Sequence, residues 1–331
     1  MDLATHALAG FVLSRARRDW AERPAVAVVL VGAALLPDVD LIAAILDPDH
    51  AALHRHTLTH ALPLLPPIAF AFAIVVRAAG VDLRLGEAFG LALLGLASHV
   101  GLDLVNAYGV ALLYPFSQER FELPLLFVVD PVLTAALAIP AAISLWLART
   151  PSARVLAART AIALALLHLA LAAGLRDTAE AALARVAEGR PALLVPEPLA
   201  PWRWRGIVPV ADGYRQVLVA PAAGTVAALP DVPSAARDPR VEAVRRSGIL
   251  RAAEPFLRAP VWTVSDDRVS VHDLRYRFAT LGNGWDPFGF AVVVSDGDVQ
   301  PVGATLGERI ERSLDTLGEV WRGSPRAGAG G

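Results

Sequence analysis

Long apolar runs, broken by a few short polar islands, make up the first 175 residues. Residues 3–14 are apolar but short for a full membrane span. An arginine-rich turn over 14–24 leads into the run 25–46, which is long enough to cross a bilayer. Pro37-Asp38-Val39-Asp40 interrupts that run. Proline removes an amide donor and clashes with the preceding turn, so a kink or break is expected there. Further apolar runs cover 61–79, 86–105, 123–147 and 153–175. The pattern predicts an α-helical integral membrane bundle of five long helices plus a short N-terminal one, occupying residues 1–175.

The pattern changes after residue 175. Residues 176–189 read as an amphipathic linker helix with a glycine stop. Proline-rich turns then alternate with strand-like runs at 202–210, 214–220, 261–264, 268–278 and 289–295, and 234–257 and 306–320 look helical. This predicts a soluble α+β domain over 190–322, followed by a disordered tail at 323–331.

Composition agrees with a membrane protein. Of the 331 residues 55% are hydrophobic and only 19% charged, and mean hydropathy is +0.49. A net charge of −2 gives no bulk attraction for nucleic acid. The absence of cysteine excludes disulfides, thiolate metal sites and cysteine nucleophiles, and the absence of lysine excludes Schiff-base chemistry. The N-terminus lacks the basic region and cleavage site of a signal peptide.

Arginine distribution sets the expected topology. The loops at 14–24, 76–86 and 148–160 hold nine arginines, whereas 47–60 and 106–122 hold only Arg55 and Arg120. By the positive-inside rule the first set is cytoplasmic. The polar islands then lie at the other ends of their helices, at about 22–26 Å from the basic face, with His6 shallower at about 14–18 Å. The expected location is a bacterial inner membrane crossed several times, with the islands and the C-terminal domain on the extracytoplasmic side.

The islands carry metal-ligand chemistry. Asp38 and Asp40 sit at a helix break, His54, His56 and His60 lie close together, and His99 and Asp103 share a helix face at i,i+4. His6 adds an imidazole from the N-terminal segment. Such nitrogen and oxygen donors suit zinc, manganese or iron, and their number allows one or two ions. Ionisable groups at membrane depth are expensive and mark functional sites. We expect His6, Asp38, His60, His99 and Asp103 as ligands, with Asp40 or His56 as a further ligand, an orienting group or a general base. Arg55, Asn106 and Arg120 are candidates for binding an anionic part of a substrate.

Other polar residues read more plainly. His168 is expected as a hydrogen-bonded core histidine, and Glu119 and Glu122 as solvated loop acids. Asp130 is either a supporting acid, a pocket residue or purely structural. The alternation Trp202-Arg203-Trp204-Arg205 reads as a half-exposed strand, and His272 as a strand residue. No glycine-rich phosphate loop, Gly-x-Ser-x-Gly elbow or His-Glu-x-x-His motif occurs.

Taken in order, Thr5-His6, Leu36-Pro37-Asp38-Val39-Asp40, His54-Arg55-His56-Thr57-Leu58-Thr59-His60 and Ser98-His99 through Asp103 resemble the YdjM-like (LexA-regulated) inner-membrane-bound metal-dependent hydrolases. Asn106 to Gly109 and Leu113 to Ser117 look like the continuation in longer members, as do Pro198 to Trp204 and Asp273 to Tyr276 in the C-terminal region. The family's second island has the form His-Arg-x-x-Thr-His; here one residue is added, which leaves His54 and His56 as alternatives for one role. The resemblance implies a metal-dependent hydrolase in which a metal-activated water attacks an ester or phosphoester. Site depth adds a lipid-like substrate at the membrane interface. A metal-ion or proton transporter and a non-catalytic metal-binding scaffold are the alternatives.

Overall fold

The structure, a computed structural model, describes residues 1–42, 55–248, 250, 257–266, 268–276, 290–295 and 298–301. His54, the helix expected over 306–320 and the tail at 323–331 lie outside these residues.

Asp2 caps α1 (Leu3–Ser14) by accepting from the Thr5 amide. After a short α2 (Arg18–Ala21), Pro24 opens α3 (Pro24–Leu35) at a position where its missing N–H costs nothing. A 3-10 turn over Leu36–Val39 continues the run. Pro37 therefore tightens the helical path without ending it, and it brings Asp38 and Asp40 to one end of the span. Two more helices, α4 (Leu65–Ala78) and α5 (Leu85–Leu104), follow. Asp130 caps α6 (Pro131–Trp146), and Thr150 caps α7 (Pro151–Ala187).

Among the described residues, Pro24–Ile42, Leu85–Leu104 and Pro151–Ala187 are long and apolar enough to cross a membrane, whereas Leu3–Ser14, Leu62–Ala78 and Pro131–Trp146 are shorter apolar helices. The expected five long helices thus become three long and two short, beside the short N-terminal helix that was also expected. Prolines cause both shortenings. Pro63, Pro66 and Pro67 confine the start of the 61–79 run to a 3-10 turn and delay the α-helix to Leu65. In the 123–147 run, the Asp130-Pro131 pair sets the helix start at Pro131 and leaves the preceding residues non-helical.

Small residues set the spacing of the bundle. α3 packs between α1 and α5. A Cβ on Gly10 would lie 2.7 Å from the Leu30 carbonyl oxygen, and one on Gly95 would lie 2.7 Å from Ala33 Cβ and 3.0 Å from the same Leu30 oxygen. Both neighbouring helices therefore reach the α3 backbone directly. His6 and His99 each stand one turn from those contacts, and their rings stack at 3.6 Å between centroids. Val26, Val29, Leu30, Ala69, Ala73, Ala88, Leu91 and Leu96 fill the core of α3, α4 and α5. Met1, Val12, Leu126, Leu133, Leu137 and Ala161 fill that of α1, α6 and α7. At the end away from the islands the arginine-rich loops meet: Arg18 donates to Ser152 Oγ at 2.8 Å, Arg159 to the Ala16 carbonyl at 3.2 Å, and Arg23 pairs with Glu87 at 3.1 Å.

The run expected to divide into a span and a separate linker helix is one helix of 37 residues. At 1.5 Å per residue it is roughly 55 Å long, well beyond the roughly 30 Å of a bilayer core. Its far end carries Ala179, Leu183 and Ala187 onto Trp204, Val208, Val217 and Val219. It stops at Glu188 and Gly189, both with positive φ.

Two antiparallel four-stranded sheets follow. The first is β1 (Leu193–Pro196), β2 (Trp204–Val210), β3 (Gly213–Ala220) and β4 (Thr225–Pro233) in spatial order. The second is β5 (Pro260–Ser265), β6 (Arg268–Asp273), β7 (Phe290–Ser295) and β8 (Asp298–Pro301), with α8 (Pro239–Ser247) packed against it through Val241 and Val244. The strand expected over 268–278 ends at Asp273 and is followed by a turn over Leu274–Tyr276, while 277–278 lie outside the described residues. Arg205, expected on a half-exposed strand, is buried with Trp204; it pairs with Glu197 at 3.0 Å and donates to Gln216 Oε1 at 3.0 Å.

Gly95→Val is expected to destabilise the protein by about 1–3 kcal/mol through overpacking against α3. Gly101→Ala, where an added Cβ meets nothing within 4 Å, is expected to be neutral or stabilising by up to about 1 kcal/mol. Denaturant or thermal melts of the purified protein compare the two directly, and equal melts would refute the close-approach account.

Candidate metal centre

The polar islands converge on Asp103. Its carboxylate has no exposed surface and lies one helical turn from His99 on α5. Asp103 Oδ2 lies 3.1 Å from His60 Nε2, 3.2 Å from His99 Nε2 and 3.5 Å from His56 Nε2. Asp103 Oδ1 lies 3.3 Å from His6 Nε2, accepts from Asn106 Nδ2 at 3.3 Å and contacts the α-amino group of Met1.

Outer partners set the imidazole tautomers. His99 Nδ1 donates to the Ala34 carbonyl at 2.7 Å, so its Nε2 presents a lone pair. His60 Nδ1 lies 2.9 Å from Thr59 Oγ1 and 3.5 Å from Asp40 Oδ2, which likewise turns a bare Nε2 inward. These two Nε2 atoms stand 3.1 Å apart. With Asp103 Oδ2 they form a nearly equilateral triangle of electron-rich atoms. An ion bound tetrahedrally at about 2.0–2.1 Å holds its donors about 3.3 Å apart, so the triangle matches one face of such a site. Both ring nitrogens of His6 are buried without completing a hydrogen bond. The residues therefore fit a divalent cation.

Three buried groups have donor atoms close enough to hold an ion: His60, His99 and Asp103; His6, Asp38 and His99; and Asp38, His56 and His60. All five expected ligands fall within them, as does His56. His54 lies outside the described residues, and His56 faces the centre. Its φ is +55°, and Asp40 Oδ2 holds that backbone by accepting from the His56 amide at 2.8 Å. Arg55 Nη2, which can only donate, lies 3.3 Å from His56 Nε2, and His56 Nδ1 lies 3.4 Å from the Gly109 carbonyl.

Arg55 is engaged by the acids: its Nη1 donates to Asp40 Oδ1 at 2.6 Å and to Asp38 Oδ1 at 3.2 Å. Asn106 bonds Asp103 and orders the next turn by accepting from the Tyr108 amide at 2.7 Å. Arg120 braces the loop from outside, donating to the Gly109 and Arg55 carbonyls at 3.2 and 3.0 Å. Asp130 stands apart from the cluster as the α6 cap, and it accepts from His168 Nε2 at 3.0 Å, which gives that histidine its expected structural role.

The C-terminal region closes over the loop that follows α5. Arg275 Nη1 donates to the Ala107 carbonyl at 3.1 Å and to Glu122 Oε2 at 3.3 Å, and the Tyr276 hydroxyl donates to the same carbonyl at 3.3 Å. Asp273 holds Arg275 through a buried pair at 3.1 Å. The Tyr276 ring packs 4.9 Å from Tyr108, whose ring in turn sits 5.5 Å from His56. Glu122 is therefore no solvated loop acid: it is largely buried and bridges Arg275 and Arg258. Burial pushes its carboxyl above the ordinary value. Burial also holds the Tyr276 hydroxyl well above the phenol range, which keeps it a donor. In the sequence Tyr108, Arg275 and Tyr276 stand only as parts of stretches resembling longer family members, with no role at the site, and Glu122 reads as a solvated loop acid.

A family model described as YdjM inner membrane protein matches residues 1–177. No curated protein matches the chain, and no solved structure matches it. Metal analysis of the purified protein is expected to find at least one divalent ion per chain. Ser98→Ala, which removes a hydroxyl that donates to the Gly95 carbonyl, is expected to retain it, and His99→Ala to lose it. Full metal content in folded His99→Ala protein would contradict this arrangement.

Proposed function

Since the chain belongs to the YdjM inner membrane protein family, we propose that it is a multi-pass membrane hydrolase whose His/Asp cluster uses one or two divalent ions to cleave an ester or phosphoester. The triangle of His60 Nε2, His99 Nε2 and Asp103 Oδ2 carries this reading. Its nitrogen and oxygen donors suit zinc, with manganese or iron as alternatives. Orientation follows the arginine-rich loops, which face the cytoplasm in this reading and leave the cluster and the C-terminal sheets extracytoplasmic.

His60, His99 and Asp103 would hold the ion, with His6 and Asp38 completing its shell or holding a second ion. Bound there, the ion supplies Lewis acidity, which lowers the pKa of a water and screens charge developing on the substrate. Asp40 orients His60 and the His56 backbone. Asn106 aims Asp103. His56 has its Nε2 turned toward the cluster and its Nδ1 toward a carbonyl, an arrangement suited to taking a proton at Nε2 and passing it to the leaving group. Arg55 pairs with both Asp38 and Asp40 and offsets their charge in a buried setting. The C-terminal region limits water entry by laying Tyr276 on Tyr108 above His56.

The backbone contacts of Gly10 and Gly95 with α3, one turn below the two histidines, favour hydrolysis over transport. They close the space that an ion would need to pass on toward the arginine-rich end.

The test is a turnover screen of metal-replete protein against carboxylic-ester and phosphoester lipids. His56→Gln is expected to lower turnover by about 100-fold or more while metal content stays unchanged. A folded, metal-loaded protein that turns over no substrate in the screen would contradict the proposal.

A further inference from the structure

A cavity of about 260 Å³ lies where the loop after α5 meets the C-terminal region. Tyr108, Glu119, Arg120 and Glu122 line it from the loop, and Arg258 and Arg275 from the C-terminal side. Whole-ligand pockets are typically about 300–1,000 Å³, so this one is sized for a headgroup. Three arginines and two glutamates line it together. Each arginine is held in place: Arg120 by the Gly109 and Arg55 carbonyls, Arg275 by Asp273, and Arg258 by Glu122. Arg275 is only 2% exposed, so its charge is fixed deep in the wall. Fixed, forked donors of this kind recognise phosphate oxygens.

The cavity shares a wall with the His/Asp cluster. Tyr108 belongs to the cavity wall and touches His56. Arg120 bonds the same Gly109 carbonyl that His56 Nδ1 approaches. In the same loop Phe116 is 84% exposed and Leu113 and Leu123 are exposed as well. Apolar side chains beside a charged cavity suit the edge of a bilayer, where headgroups lie.

We propose that this cavity is the subsite that seats the phosphate of an anionic phosphoester substrate, with the ester bond directed toward His56 and Asp103. The proposal rests on the reading of the cluster as a hydrolytic centre and adds the substrate class. Glu122 serves in it as the positioning residue that spreads Arg258 and Arg275 along the wall.

Binding to the full chain, stripped of metal with EDTA so that no turnover intervenes, tests it. Isothermal titration would compare dioctanoyl phosphatidate, inorganic phosphate and dioctanoylglycerol. Phosphatidate is expected to bind at least tenfold tighter than dioctanoylglycerol. Arg258→Gln is expected to weaken it about tenfold, the effect of losing one charged hydrogen bond. Arg258→Lys keeps the charge without the fork and is expected to weaken binding less than Arg258→Gln does, which separates lost recognition from lost folding. His99→Ala is expected to leave phosphatidate affinity within about threefold. Inorganic phosphate binding as tightly as phosphatidate would support a soluble phosphoester as the source, and phosphatidate binding alone would support a lipid. Equal affinity for dioctanoylglycerol, or unchanged affinity in Arg258→Gln, would overturn the subsite, as would loss in His99→Ala without loss in Arg258→Gln. Because metal-free binding does not depend on turnover, an Arg258-dependent phosphatidate site in a protein that hydrolyses nothing would leave the subsite standing while the hydrolytic reading fell.

Discussion

A carboxylate with no access to water has to be compensated where it stands, and Asp103 imposes that requirement on the bundle. Its two oxygens are surrounded by the Met1 amino group, His6, His56, His60, His99 and Asn106, which come from α1, the segment before α4, α5 and the loop beyond it. Asp38 and Asp40 add further negative charge, and Arg55 answers both. None of these groups reaches its partner unless the helices approach closely. Gly10 and Gly95 allow that approach by bringing α1 and α5 to the α3 backbone one turn from His6 and His99. Packing and chemistry are thus tied to one geometric condition.

The C-terminal region extends the same logic outward. The 37-residue α7 is a rigid connection from the apolar bundle to the first sheet. The turn after β6 then places Arg275 and Tyr276 on the loop that carries Asn106 and Tyr108. From Asp273 through Arg275 to Glu122, buried charges are paired across the junction between sheets and loop. Such pairs fix relative position more than they add stability, since desolvation offsets much of their attraction. Their position matters here because the loop they fix lies against His56.

Much of this site was legible in the residues alone. Acids and imidazoles are rare in apolar runs, so His6, Asp38, Asp40, His56, His60, His99 and Asp103 stood out by type, and i,i+4 spacing tied His99 to Asp103. The choice between ligand and orienting group was not legible. It depends on which ring nitrogen meets a carbonyl, as His99 Nδ1 does at Ala34. Arg55 shows the same limit: its type suggested an anionic substrate, whereas its reach carries it to Asp38 and Asp40. Helix lengths were overread where prolines sit inside apolar runs, because hydropathy averages over a local backbone constraint. Glu122 and Arg205 looked exposed for a different reason. Arg275 reaches Glu122 from 153 residues away, and Glu197 reaches Arg205 across the β1–β2 pairing, so burial of each charge depends on a folded partner rather than on residue type.

The central claim is that His60, His99 and Asp103 share a divalent ion. X-ray absorption at the metal edge of the purified protein tests it most directly. The account predicts a shell of nitrogen and oxygen scatterers only, at about 2.0–2.2 Å, with the outer-shell pattern of at least two imidazoles. Folded protein without bound metal, or a metal whose shell shows no imidazole, would contradict it.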